Sequence, residues 1–483
     1  MPKVGMVSLG CPKNLVDSEV MLGILARQGY ELTPHAEDAD VLIVNTCGFI
    51  DPAKRESIDT ILEMVEHKKS GTAQRLVVAG CLVERYRQEI LAEIPEVDFV
   101  IGTNELERVL EACAADGHRR TVEGPAGAYL YHESTPRVLS TPPHTAYIKI
   151  AEGCDQPCAF CVIPQMRGRF RSRRLESVVR EAENLAQQGV REITLIGQDT
   201  TSYGEDLGRR DGLAALLREL GKIPELVWVR ALYYYPNRVS DALIEAVAQT
   251  PKVCKYFDVP LQHTSRSVLK AMRRGSSGEH FLRLLENIRR AIPGVALRTS
   301  LIVGFPGETK RDFQELLDFV TAAEFDHLGV FLYSNEETST SYGLPNQVAA
   351  RVARSRQRKL MALQRKISRR KLRALVGKSL PVLVEGRSPE TERLFRGRLE
   401  SQAPEIDGQV LINDFAGPEP QPGEFRWATI TAAGDYDLVA RLEARAFAER
   451  TPPSRRAAPA PLLIQIQPPA EVTPDSGHAL PNV

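Results

Sequence analysis

Cys154, Cys158 and Cys161 stand at Cys-x3-Cys-x2-Cys spacing in the stretch Glu152-Gly153-Cys154-Asp155-Gln156-Pro157-Cys158-Ala159-Phe160-Cys161. A loop that short can turn three thiolates onto one small inorganic cluster. Soft thiolates select iron-sulfur clusters and zinc over hard cations, and a four-iron cluster normally takes four of them. Three leave one iron without a protein ligand, and an open coordination position suits the binding of a substrate or cofactor better than electron storage. The competing readings are a structural zinc site short of its fourth ligand and a chance group of thiols. No other Cys or His falls inside this loop, and the nearest, His144, precedes the adjoining strand.

A second set of thiols is dispersed along the first third of the chain. Val4-Gly5-Met6-Val7-Ser8-Leu9-Gly10 runs into Cys11, Val41-Leu42-Ile43-Val44-Asn45-Thr46 into Cys47, and Leu76-Val77-Val78-Ala79-Gly80 into Cys81. Helical stretches lie between these strand-like runs. One covers residues 15–28 and is closed by Gly29; the other covers residues 56–68, with Ile58, Ile61, Leu62 and Val65 on one expected face and a stop at Ser70-Gly71. Strands alternating with helices predict a parallel sheet, and its crossovers return each strand in the same direction. Cysteines at the carboxyl ends must then line one edge, where open α/β sheets place their sites. Cys11, Cys47 and Cys81 are therefore expected to meet as a second three-thiolate site; the bland alternative is three buried, cysteine-sized apolar positions.

These residues carry a resemblance. The first loop, with Phe160 just before its third cysteine, resembles the signature of the radical S-adenosylmethionine enzymes. Ser8-Leu9-Gly10-Cys11-Pro12-Lys13-Asn14-Leu15-Val16-Asp17-Ser18-Glu19, Asn45-Thr46-Cys47-Gly48-Phe49-Ile50 and Ala79-Gly80-Cys81-Leu82 resemble the amino-terminal domain of the methylthiotransferases within that group. The Leu-Gly-Cys-Pro-Lys-Asn form is similar to the branch that modifies an aspartate of a ribosomal protein, the RimO branch, whereas the transfer-RNA branch would carry Tyr-Gly-Cys-Gln-Met-Asn. The likeness runs from about residue 3 to about residue 441.

The resemblance implies two 4Fe-4S clusters, one on Cys154, Cys158 and Cys161 and one on Cys11, Cys47 and Cys81. It implies S-adenosylmethionine chelated at the open iron of the first and cleaved by an electron from an external donor to a 5′-deoxyadenosyl radical. The substrate would be the β-carbon of an aspartate in the twelfth small-subunit ribosomal protein. The second cluster would deliver or donate sulfur, and a second S-adenosylmethionine the methyl group. Phe160, Gln198, Arg298 and Ile302 are the expected cofactor contacts, Ile302 lying in Leu301-Ile302-Val303-Gly304-Phe305-Pro306-Gly307-Glu308-Thr309, which resembles the family's strand end near the adenine. For all four, ordinary barrel packing or turn chemistry is the competing reading. No other catalytic residue is marked, and Cys113 and Cys254 match no ligand position. Arg167, Arg169, Arg171, Arg173 and Arg174 follow the loop, as an anion seat or as a solvated basic turn.

The fold class expected is α/β: an amino-terminal parallel α/β domain, a central partial (β/α)6 barrel and a small antiparallel β-barrel resembling the TRAM domain. The boundaries are residues 1–116, a linker at 117–143, the barrel at 144–345, a basic connecting helix at 346–376, the small barrel at 377–445 and a disordered tail at 446–483. Barrel strands are expected at residues 147–150, 192–196, 227–231, 256–260, 297–303 and 327–333, with helices at 175–188 and 278–291. Strands of the small barrel are expected at residues 380–385, 394–399, 409–412 and 427–432.

With 483 residues the chain exceeds one ordinary domain, and its 62 basic and 62 acidic side chains announce no overall field. No apolar run approaches a membrane span and no signal region opens the chain, so a cytoplasmic protein without a membrane partner is expected. Eight cysteines in such a length are no disulfide framework. No acidic residue falls between Glu337 and Glu385, while Arg351, Arg354, Arg356, Arg358, Lys359, Arg365, Lys366, Arg369, Arg370, Lys371, Arg373 and Lys378 accumulate. That pattern reads as a solvated or interdomain helix, or as a contact with ribosomal RNA. From Lys378 to Arg441 there are seven basic and eleven acidic residues. This excess suits a basic protein substrate better than a phosphate backbone, and so favours the ribosomal protein over transfer RNA. A transfer-RNA methylthiotransferase and a non-catalytic iron-sulfur carrier or ribosome-binding factor are the rival readings.

Overall fold

The computed structural model describes residues 1–114, 129–447 and 462–465. Its first layer is a five-stranded, all-parallel sheet of β1 (Lys3–Ser8), β2 (Glu31–Thr33), β3 (Val41–Thr46), β4 (Arg75–Gly80) and β5 (Phe99–Ile101), in the order β2-β1-β3-β4-β5. The short β2 and β5 escaped the sequence reading, since three residues carry too little pattern. The strand order reverses between β1 and β3, the place where such sheets open a crevice at their carboxyl ends. Helix Pro12–Arg27 starts directly from Cys11; a proline at the first helical position loses nothing by lacking an N–H there.

Helix Asp51–Ser70 corrects one expectation. Its buried face is Ser57, Thr60, Ile61, Met64 and Val65, whereas Ile58 and Leu62 are 42% and 48% exposed. The turn is set by Ser57, whose hydroxyl accepts from the Cys47 N–H at 3.0 Å and donates to the Cys47 carbonyl at 2.8 Å. A count of apolar residues cannot see a polar residue facing inward.

Six parallel strands form the partial barrel. Thr145–Lys149, Glu192–Ile196 and Trp228–Ala231 make one three-stranded sheet; Tyr256–Asp258, Ala296–Val303 and His327–Leu332 make the other. Backbone bonds from Cys254 to Val229 and from Tyr234 to Asp258, both 2.9 Å, join them. Alternate residues separate as strand pleating requires. Ile148, Ile193, Leu195, Val229 and Leu297 pack with the outer helices, while Tyr147, Ile196, Trp228, Tyr256 and Ala296 cluster with Leu383, Ala403 and Phe425 of the carboxyl-terminal domain. Cys254 is buried in the second cluster and Cys113 in the same cluster's amino-terminal part.

Helix Ala350–Arg373 leads to a closed five-stranded barrel of Ser379–Ser388, Thr391–Leu399, Val410–Phe415, Phe425–Ala433 and Leu438–Ala446. The last strand was missed by the sequence reading, and it pairs parallel to Val410–Phe415 as well as antiparallel to Phe425–Ala433. Part of the stretch read as a linker is packed. Arg137 reaches Glu19 at 2.5 Å and Glu181 at 2.9 Å, tying the first helix to helix Leu175–Gln187, and a Cβ at Gly23 would lie 2.4 Å from the Pro136 carbonyl carbon. Most of the tail read as disordered lies outside the described residues. Its residue Ile464 packs on Gly5 and donates its N–H to the Met6 carbonyl at 2.8 Å, beyond the end of the short β2. No described helix is long and apolar enough to cross a membrane.

Candidate metal and cofactor site

The carboxyl ends of β1, β3 and β4 bring Cys11, Cys47 and Cys81 together. A Cβ at Gly10 would stand 2.7 Å from the Cys47 Cβ and 3.1 Å from its Sγ, and one at Gly48 would stand 2.8 Å from the Leu82 Cα. Only glycine permits that approach at Gly10, whose φ is +84°. Asn14 laces the turns: its side-chain amide donates to the Leu9 carbonyl at 2.7 Å and the Thr46 carbonyl at 3.3 Å, while Asn45 donates to the Asn14 carbonyl at 2.9 Å. Burial pushes the Cys47 thiol up to about 12, with Cys81 and Cys11 adding to it, and raises Cys81 against the pull of Arg167. At Cys11 burial also acts upward, but Lys13 and Arg167 outweigh it and the thiol is lowered.

The second triad sits on the loop after strand Thr145–Lys149. Gln156 N–H donates to Cys154 Sγ and Ile163 N–H to Cys161 Sγ, each at 3.5 Å, and Arg274 Nη1 donates to Cys158 Sγ at 3.4 Å. The loop is pinned by Ala159 N–H to the Met272 carbonyl at 2.9 Å and by Ser341 N–H to the Ala159 carbonyl at 2.9 Å. Burial pushes Cys154 up to about 12 and raises Cys161 as well. Metal binding displaces the thiol proton, and the N–H and guanidinium donors aimed at sulfur favour the deprotonated, metal-bound state.

The two loops share a seam. Cys81 packs with Val162 and Met166, in the segment after Cys161, and with Phe49 and Ile163 at the edge. Arg167 closes the short helix Ile163–Arg167 and is buried. Its guanidinium donates to Cys81 Sγ at 3.3 Å, Asp17 Oδ2 at 2.7 Å, Asn14 Oδ1 at 3.1 Å and Glu152 at 3.3 Å. Lys149 binds the same two carboxylates, Glu152 at 2.5 Å and Asp17. Burial would raise Glu152, yet Lys149 and Arg167 bring it down to about 2. Among the described residues no three His, Cys, Asp or Glu side chains gather closely enough to hold a metal ion. Thiolates on separate irons of a cluster stand wider apart than donors converging on a single ion at ~2.3 Å.

Of the expected cofactor contacts, Phe160 and Ile302 come together, packed around Val268, Met272 and Phe305 with Tyr333 and Leu344. Gln198 lies beyond the end of strand Glu192–Ile196, its amide donating to Glu152 at 2.9 Å while its buried Oε1 has no partner among the described residues. Arg298 does not join them. It sits three residues into its strand, bonded to Asp258 at 2.8 Å and facing Asp407 of the small barrel at 3.5 Å, toward the end away from the cysteines. Sequence could not foresee that Asp407 would be delivered from so far along the chain.

The basic turn divides. Arg167 is in the seam, Arg173 pairs with Glu181 over the Tyr131 ring, Arg171 reaches Asn104 at 3.0 Å, and Arg169 and Arg174 are exposed. Among the residues the sequence did not mark as functional, Asp17, Lys149 and Glu152 form the buried charge network, and Lys13 sets its ammonium 3.5 Å from the centre of the Tyr233 ring. Charged residues on otherwise apolar elements are the signal that points to them.

The residues fit the implied groups. Each triad presents three soft donors backed by hydrogen-bond donors to sulfur, and among the described residues the buried Gln198 amide oxygen has no hydrogen-bond partner. Family models match residues 3–102 (uncharacterized protein family UPF0004), 148–320 (radical SAM superfamily) and 376–442 (TRAM domain). Curated relatives named ribosomal protein uS12 methylthiotransferase RimO include one from Solibacter usitatus, 62% identical over 91% of this chain and 94% of its own length. Another is from Koribacter versatilis, 54% identical over 91% and 96%, and a third is from Myxococcus xanthus, 48% identical over 95% and 96%. Among solved structures, the radical S-adenosylmethionine methyltransferase TsrM from Kitasatospora setae, with cobalamin and a [4Fe-4S] cluster bound, superposes with a TM-score of 0.52 at 17% identity, covering 70% of this chain and 77% of that one; this likeness is one of fold. By its domain order and its identity to these relatives over nearly the whole chain, the protein belongs to the RimO family of radical S-adenosylmethionine methylthiotransferases.

Proposed function

We propose that this enzyme places a methylthio group on the β-carbon of an aspartate in ribosomal protein uS12, using two 4Fe-4S clusters. The observation that carries the reading is the seam itself: two three-thiol loops from different domains in direct contact through Cys81, Val162, Met166 and Arg167. Cys154, Cys158 and Cys161 would hold one cluster and Cys11, Cys47 and Cys81 the other. Once bound, the clusters and S-adenosylmethionine supply radical activation of an unactivated carbon, a sulfur atom and a methyl group. Phe160, Ile302 and the Gln198 acceptor would contact the cofactor, and an external donor would supply electrons.

The chain's own contribution is positional and electrostatic. Arg167, Lys149, Asp17 and Glu152, all buried, clamp the two domains with balanced charge. Lys54 at 2.9 Å and Arg85 at 2.7 Å hold Glu336, so the loop after the last barrel strand is latched onto the amino-terminal domain. The exposed bases of helix Ala350–Arg373 support a contact with ribosomal RNA. Arg351, Arg354, Arg358 and Lys359 face solvent, whereas Arg356 is committed to Glu308, Arg370 to Glu324 and Lys371 to Asp326.

The test is anaerobic incubation of the reconstituted protein with S-adenosylmethionine, reductant, sulfide and purified uS12, with transfer RNA in parallel, followed by mass spectrometry. One methylthio group on a uS12 aspartate is expected. Modification of the transfer RNA alone, or no 5′-deoxyadenosine at all, would overturn the reading.

A further inference from the structure

Lys13 is a buried cation. It is 8% exposed, and among the described residues no carboxylate pairs with it. The ionisable groups around it are Cys11, Tyr233 and Arg167. Cys11 and Tyr233 favour its charge, while Arg167, itself committed to Asp17 and Glu152, repels it. A buried ammonium over an aromatic face is only partly compensated, and a site of this kind is completed by an anion.

Its platform is built to be rigid. Tyr233 lies just past strand Trp228–Ala231, at the carboxyl end of the barrel, with a φ of +64°, which is unusual for an aromatic residue. The conformation is held from both sides: its N–H donates to Asp258 Oδ2 at 2.9 Å, and its carbonyl accepts from Thr200 N–H at 3.2 Å. Strained residues of this kind cluster where a ligand is positioned. The ring thus fixes an ammonium contributed by the other domain, two residues after a sulfur ligand.

We propose that Lys13, seated on Tyr233, receives the side-chain carboxylate of the aspartate to be modified and so selects aspartate over asparagine. The inference rests on the reaction proposed above. The carboxyl carbon is bonded directly to the β-carbon, so a carboxylate anchored on Lys13 leaves the reacting carbon one bond away, beside the Cys11 loop and at the barrel mouth. A charge-assisted hydrogen bond of this type is specific for the ionised acid.

The experiment compares binding of uS12, and of uS12 with the modified aspartate replaced by asparagine, to the anaerobically reconstituted protein and to its Lys13→Gln and Lys13→Arg variants. Iron content and S-adenosylmethionine affinity are measured alongside. Wild type is expected to prefer the aspartate form by about tenfold or more, Lys13→Gln to lose that preference with iron and cofactor binding unchanged, and Lys13→Arg to restore part of it. Undiminished preference in Lys13→Gln overturns the proposal. So does a variant whose defect is in iron content or in S-adenosylmethionine affinity, since Lys13 would then serve the cluster or the cofactor carboxylate. A wild-type protein that binds neither form of uS12 overturns the reaction reading itself, so the two failures are told apart.

Discussion

The Arg167 guanidinium donates to Cys81 Sγ at 3.3 Å across a domain boundary. Arg167 follows the Cys154, Cys158, Cys161 loop, whereas Cys81 ends a strand of the amino-terminal sheet, so the segment beside one triad supplies the counter-charge of the other. Through Asp17 and Glu152 the same guanidinium also fixes the first helix against the first barrel strand.

Removing that charge should loosen the seam. Arg167→Met leaves Asp17 and Glu152 sharing Lys149 alone, and breaking a buried pair of this kind costs about 3–5 kcal/mol. Urea unfolding of the metal-free protein should show a lowered midpoint for Arg167→Met and a smaller loss for Arg167→Lys. Equal midpoints for Arg167→Met and wild type would remove the clamp from the account.

A second charge cluster joins the small barrel to the central one and gives a pH dependence. Burial would raise Glu192, but Arg398 and Arg230 bring it down to about 2, and Arg398 also reaches Glu385 at 2.6 Å. The folded value lies below the usual ~4.3 of a glutamate, so the stabilisation is full above the usual value and is lost as pH falls toward 2. Unfolding midpoints measured from pH 6 downward should fall more steeply in wild type than in Glu192→Gln, which starts lower because it leaves buried arginines underpaired. Parallel slopes would contradict this.

How much of this was legible in the sequence depends on the range of the interaction. Local pattern placed the six barrel strands, because alternation and turn residues are contained within each run, and strand direction alone predicted that Cys11, Cys47 and Cys81 share an edge. What escaped depends on contacts between distant segments. Arg298 was expected at the cofactor but is taken by Asp258 and by Asp407, more than a hundred residues later. Ile58 and Leu62 were expected inside, but Ser57 turns the helix toward Cys47. Lys13 and Glu152 acquire their meaning only when two domains meet.

The exposed bases of helix Ala350–Arg373 predict a salt effect. Replacing Arg351, Arg354, Arg358 and Lys359 together with Gln should weaken retention on small ribosomal subunits and flatten the salt dependence by roughly two to four counterions, while binding of free uS12 is unchanged. Cosedimentation across a salt series measures it; an unaltered slope would make the helix an interdomain brace alone.

The central claim, two separate thiol-held clusters, is tested most directly by counting iron and acid-labile sulfide in anaerobically purified protein. Wild type should carry about eight irons per chain. Cys154→Ala/Cys158→Ala/Cys161→Ala and Cys11→Ala/Cys47→Ala/Cys81→Ala should each keep about half. About four irons in wild type, abolished by one triple variant and untouched by the other, would contradict the account.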